Sequence, residues 1–271
     1  MSLPIIQLHD VVFNYPGEKQ PLLDGVNLTI HEGQKIGIWG PNGCGKSTLT
    51  KLILGLFSPQ KGSISLFGQK IRWRHHHPSI GYIGDPGYST EQMGLPHDWT
   101  VQEMLEVIQQ LYPSSKADRE KLIENLGLTT FLHRRVDQLS KGQRKRLMAT
   151  LTFLRKPQIL LLDEPLDGLD QVTSSFIMNL LTQFYQNSTN TLLLISHDLG
   201  EIDTLTDDVW AFNEQKLIKS PSPQFKLSTC IQGRDNQEVE LKMGIVKNRF
   251  SELLKDSLQS KESVNLTINA L

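Results

Sequence analysis

Short apolar stretches bounded by turn residues recur along the first 215 positions, at 5–13, 26–30, 35–39, 63–67, 80–83, 159–162, 192–195 and 209–212. Each predicts a strand. The stretches in ILLLD and LLLIS are continuously apolar instead of alternating, as expected when helices cover both faces of a parallel sheet. Helical periodicity fills 46–54, 101–111, 117–126, 143–154 and 172–185, and several of these segments open on Ser, Thr or Asp as caps. The three helices from 101 to 154 follow one another without a strand between them. This order predicts an α/β fold with a helical subdomain, over about 86–155, inserted into the connectivity of the sheet.

The run SPSP at 220–223 breaks any regular element and marks a boundary. It divides the chain into a main domain, 1–218, and a small α+β extension, 219–271. In the extension, 225–231 and 239–246 predict strands, and 248–258 predicts a helix with Phe250, Leu253, Leu254 and Leu258 on one face. No internal repeat or low-complexity tract is present, which excludes a solenoid.

Composition and charge sharpen this picture. A chain of 271 residues that is 38% hydrophobic can bury a sizeable core. With 28 Lys and Arg against 29 Asp and Glu, nothing in the charge balance advertises a polyanion-binding surface, and no nucleic acid partner is expected. Two cysteines, Cys44 and Cys230, make no disulfide framework, and the opening MSLPIIQLHD lacks the pattern of a secretory leader, so a reducing cytoplasm is expected. No apolar run approaches the ~20 residues of a membrane-spanning helix.

The chemistry begins at GPNGCGKST, residues 40–48, between the strand ending at Trp39 and the helix beginning at Lys46. This is a phosphate-binding loop in its required context. Gly40, Gly43 and Gly45, with Pro41, Asn42 and Cys44 between them, let backbone N–H groups approach phosphate oxygens at a helix N-terminus. Lys46 supplies a full charge for the β- and γ-phosphates, Ser47 a hydroxyl oxygen for Mg2+, and Thr48 support for the loop. At the end of the strand in ILLLDEP, Asp163 can hold Mg2+ through water, and Glu164 can orient or deprotonate an attacking water. The pair could also be a strand-end cap, a reading weakened by the loop upstream. The residues to this point give a Mg2+-dependent nucleotide hydrolase or kinase.

The next motif narrows the field. LSKGQ, residues 139–143, resembles the LSGGQ signature of ATP-binding-cassette (ABC) ATPases and lies just upstream of the Asp-Glu strand, as in that family. LDGLD at 166–170 resembles the family's D-loop, and His197 in LLLISHD its switch histidine, which can donate to the γ-phosphate. Tyr15, in FNYPG, is placed like the aromatic that stacks on adenine, although an isolated tyrosine is more often a core or turn residue. The resemblance implies a P-loop NTPase cassette that binds ATP and Mg2+. It further implies a head-to-tail pair of cassettes, in which Ser140, Gly142 and Gln143 of one copy, or of a close homologue, face the nucleotide held by the other. ATP would close that pair and hydrolysis release it.

Four features depart from the family pattern or stand outside it. Asp85 occupies the position of the glutamine that many members use for Mg2+ and water, and as a hard oxygen ligand it keeps a metal contact possible. Gln92 lies too far along to replace that glutamine. Lys141 replaces a glycine of the signature without touching the phosphate-facing positions. Cys44, at a helix N-terminus, is expected to favour the thiolate unless it merely fills the loop, and His75, His76 and His77 read as a solvated loop.

The resemblance implies the ATPase subunit of a membrane transporter, held to the inner face of the cell membrane by a separate integral permease. IGYIGDPG, the TVQEML segment and the tail are similar to the exporter branch. An importer of the vitamin- or metal-uptake type, or a soluble ABC protein acting on ribosomes or DNA, remains as an alternative. A small-substrate kinase would have no use for LSKGQ or His197.

Overall fold

The computed structural model describes residues 4–71, 79–84, 98–112, 115–213 and 215–220, and from the tail three strands in their backbone alone. Asp85, Gln92, the histidine triplet and the helix expected over 248–258 lie outside the described residues.

The main body contains two sheets. The antiparallel one orders its strands β2 (Leu23–His31), β1 (Pro4–Phe13), β4 (Lys61–Leu66) and β5 (Gln69–Lys70). The larger one runs β10 (Lys216–Ser220), β9 (Asp208–Asn213), β3 (Lys35–Trp39), β8 (Thr191–Ser196), β7 (Ile159–Asp163) and β6 (Ile80–Gly84). From β9 to β6 every pairing is parallel, and only β10 is antiparallel. Register aligns the carboxyl ends of four strands: Gly84 faces Asp163, Asp163 faces Ile195, and Trp39 faces Ser196. In open α/β sheets such an edge is where ligands bind.

Every residue of β7 and β8 is buried, which explains their unbroken apolar sequence. Alternate side chains serve two cores. Leu160, Leu162, Leu192 and Leu194 pack with α2 (Val101–Leu111), α3 (Lys116–Asn125), α4 (Lys141–Leu154) and α5 (Gln171–Tyr185). Ile159, Leu161, Leu193 and Ile195 pack with α1 (Lys46–Ile53) and the antiparallel sheet.

Local sequence sets the helix starts. Thr100 and Glu103 form a capping box on α2, in which the Thr100 N–H donates to the Glu103 carboxylate at 2.7 Å. The Thr and Glu of TVQEML therefore carry out a local task that any helix can require. α4 begins two residues before the expected 143 because Ser140 caps it. The short α6 (Leu199–Leu205), capped by Asp198, was below the length at which helical periodicity shows.

In the tail, β12 (Gln237–Lys242), β11 (Gln224–Ile231) and β13 (Val264–Ala270) form an antiparallel sheet in that order. Of the strand expected over 239–246, the residues after Lys242 lie outside the described ones. β13 was not anticipated from the sequence.

Candidate functional site

β3 delivers the chain into the glycine loop. Gly45 caps α1 at φ +109, and a Cβ there would come within 2.8 Å of the Leu23 side chain, so no other residue fits this close turn. Lys46 is buried, and its Nζ donates to the carbonyls of Gly40 at 2.6 Å and Pro41 at 3.0 Å. The Tyr15 hydroxyl pairs with the Thr48 hydroxyl at 3.0 Å, while its ring packs edge-on against Phe13 and Phe57. Tyr15, the loop from Asn42 to Thr48 and Glu164 line a common cleft of about 750 Å³.

At the end of β7, Asp163 is only 2% exposed. Burial and then the neighbouring Glu164 charge push its carboxyl up to about 6, against hydrogen bonds from Ser47 and Thr50 and the charge of Lys46. Its Oδ1 is buried without a hydrogen-bond partner among the described residues. An orphaned carboxylate oxygen beside a serine hydroxyl is a donor set suited to a hard cation such as Mg2+. No cluster of three His, Cys, Asp or Glu among the described residues could hold a metal. Ser47 and Asp163 would therefore share such an ion with further oxygens, as phosphate supplies.

Glu164 adopts φ +50, a left-handed conformation uncommon outside glycine. Its N–H donates to the Ile195 carbonyl at 2.8 Å. The carboxylate accepts the His197 N–H at 3.0 Å and meets His197 Nδ1 at 2.8 Å and the Ser196 hydroxyl at 3.3 Å. The hydrogen bond to Glu164, followed by its charge, raises the His197 imidazole above its ordinary pKa. Glu164 and His197, expected to act on water and phosphate, are thus bonded to each other.

The signature residues stand apart from the cleft, whose lining includes none of Ser140, Gly142 and Gln143. The Ser140 hydroxyl accepts the Gln143 N–H at 3.2 Å, and the Gln143 side chain accepts the Ser140 N–H at 3.0 Å. Gln143 therefore serves the helix cap. Lys141 reaches the D-loop and pairs with Asp167 at 3.0 Å.

Cys44 requires a correction. Burial pushes its thiol pKa up, outweighing the charge of Lys46 and the backbone N–H bonds that pull it down. The expected thiolate preference fails because the side chain turns into the loop, where a Cβ on Gly40 would meet its sulfur at 2.7 Å.

Three residues of this neighbourhood were missed in the sequence. Ser196 hydrogen-bonds Glu201 at 2.9 Å as well as Glu164, and burial raises the Glu201 carboxyl. Lys145 is wholly buried beneath the D-loop. Neither ion-like spacing nor periodicity marks any of the three.

A family model for ABC transporters matches residues 23–167, more than half of the chain. The chain belongs to the ABC transporter family. This ABC ATPase is similar to the zinc uptake system ATP-binding protein ZurA of Listeria monocytogenes, at 29% identity over 230 residues, 82% of this chain and 88% of the relative. It is also similar to the fluoroquinolones export ATP-binding protein MT2762 of Mycobacterium tuberculosis, at 29% identity over 220 residues, covering 81% and 71%. The solved structure of an ATP binding subunit of an ABC transporter superposes with a TM-score of 0.65 at 22% identity, covering 91% of this chain and 93% of the other. That likeness shows the fold, a P-loop ABC cassette. The chain is an ABC ATPase subunit of a transporter, and no helix among the described residues is long and apolar enough to cross a membrane.

Proposed function

We propose that this subunit binds ATP with Mg2+ in the cleft between Tyr15, the loop 40–48 and Glu164, and hydrolyses it only when a second cassette supplies Ser140 and Gly142. The observation that carries this reading is the cluster at the β7 end, where Asp163 accepts from Ser47 and keeps a buried orphan oxygen, and where Glu164 lines the cleft together with the loop. Lys46 and the loop N–H groups would hold the phosphates, and Ser47 and Asp163 would hold Mg2+, which neutralises phosphate charge. Glu164 would take the proton of the attacking water, with His197 fixing its carboxylate until phosphate offers the imidazole another acceptor. The position of the signature outside the protomer's own cleft supports a head-to-tail pair, whether of two copies or of close homologues. A permease would then hold the pair at the inner face of the membrane.

The deciding experiment replaces the water-activating group alone. Glu164→Gln is expected to keep ATP affinity, lose about 100-fold or more in kcat, and accumulate a dimer when ATP is added. A folded variant that binds ATP and stays monomeric in light scattering would overturn the reading.

Two readings of transport direction have observations behind them. Export rests on IGYIGDPG and the tail, whereas the TVQEML residues are accounted for by helix capping. Uptake is favoured by the zinc uptake, zinc import and manganese transport proteins among the relatives. Nucleotide-driven accumulation or depletion of zinc in vesicles bearing the partner permease separates the two.

A further inference from the structure

A buried ammonium is tolerated only where acceptors replace its water. Lys145 lies in the second turn of α4 with 0% of its surface exposed. Its Nζ donates to the backbone carbonyls of Glu164, at 2.6 Å, and Asp167, at 2.5 Å. Both carbonyls belong to the turn leaving β7, where Glu164 is left-handed. The Glu164 N–H is held by the Ile195 carbonyl of β8 and its C=O by Lys145 of α4, so both peptide groups that flank its φ and ψ are fixed. A strained backbone persists where its surroundings over-determine it.

We infer that Lys145 is a positioning residue for Glu164, holding the left-handed turn that aims the carboxylate. The inference rests on Glu164 being the water-activating group. Lys141 adds a tether from the same helix through its pair with Asp167, and Ser140 caps that helix. The segment offered to the partner's nucleotide and the base of the chain's own site are therefore joined by less than two turns of α4.

Lys145→Met keeps the unbranched stem and removes the ammonium. The expected result is binding of a fluorescent ATP analogue within about threefold of wild type, KM equally unmoved, and kcat lowered about 30-fold or more. Because only the base is misplaced, the variant should accumulate an ATP-dependent dimer as Glu164→Gln does. Lys145→Gln, which retains N–H donors, is expected to recover kcat to within about fivefold of wild type. A folded Lys145→Met that hydrolyses ATP within about threefold of wild type, or binds ATP without dimerising, overturns the inference. Should Lys145→Met not fold, Lys145→Gln decides: kcat within that fivefold range upholds the role, and a lower value overturns it. Loss of ATPase in the wild-type protein, or a monomeric Glu164→Gln, would instead strike the proposed function and leave these variants unneeded.

Discussion

The Glu164 carboxylate gathers its partners from two consecutive residues, Ser196 and His197, at the end of the neighbouring strand. Its pair with His197 has a pH signature. Because Glu164 raises the imidazole pKa, the stabilisation is complete below the unfolded value of about 6.5 and is lost as pH rises through the higher folded value. The His197 side chain is 58% exposed, so screening limits the effect to about 0.5 kcal/mol. Urea midpoints of wild type and His197→Ala should accordingly differ at about pH 5.5 and converge by about pH 9; a gap that widens with pH would refute the assignment. Lys46, Ser47, Asp163 and Glu164 were legible as residues because charged and hydroxyl groups beside glycine turns and strand ends have few other uses. Lys145 was hidden for the opposite reason. A lysine among Arg144 and Arg146 on an amphipathic helix reads as a solvated face, and only the packing of the D-loop over it reveals its burial.

At the scale of elements, β7 illustrates what continuous apolarity means. Its side chains alternate between two cores, so neither face can be polar. Leu161→Ala would leave a cavity against α1 and the antiparallel sheet, and is expected to cost about 2–5 kcal/mol in chemical denaturation. A loss below about 1 kcal/mol would show that the site collapses freely. Strand positions were legible because burial imposes its pattern on the sequence, and helix α4 was legible from its periodicity. The start of α4 was not, since Ser140 and Gln143 define it through a capping box and not through hydrophobicity. In the tail, β11 and β12 were legible and β13 was missed, although VNLTINA alternates apolar and polar residues at every position.

For the whole molecule, the last strand of the cassette sheet, β10, ends at Ser220 and, among the described residues, the tail strands pair only with one another. We expect a chain truncated after Ser220 to retain ATP affinity within about threefold and a cooperative thermal transition, as measured by fluorescence titration and circular dichroism. An unfolded product would show that the tail is part of the cassette. The order of the six-stranded sheet was beyond sequence reading, because hydrophobic pattern identifies strands without naming their neighbours.

That order bears on how the protein is made. β3, which delivers the glycine loop, lies between β8 and β9, both synthesised more than 150 residues after it. A nascent chain that has passed the loop still has nothing to zip β3 against, and parallel pairing across such separations is slow. β3 is therefore fixed on both edges late, when β9 leaves the ribosome, and premature termination before Thr191 leaves β3 with both edges bare.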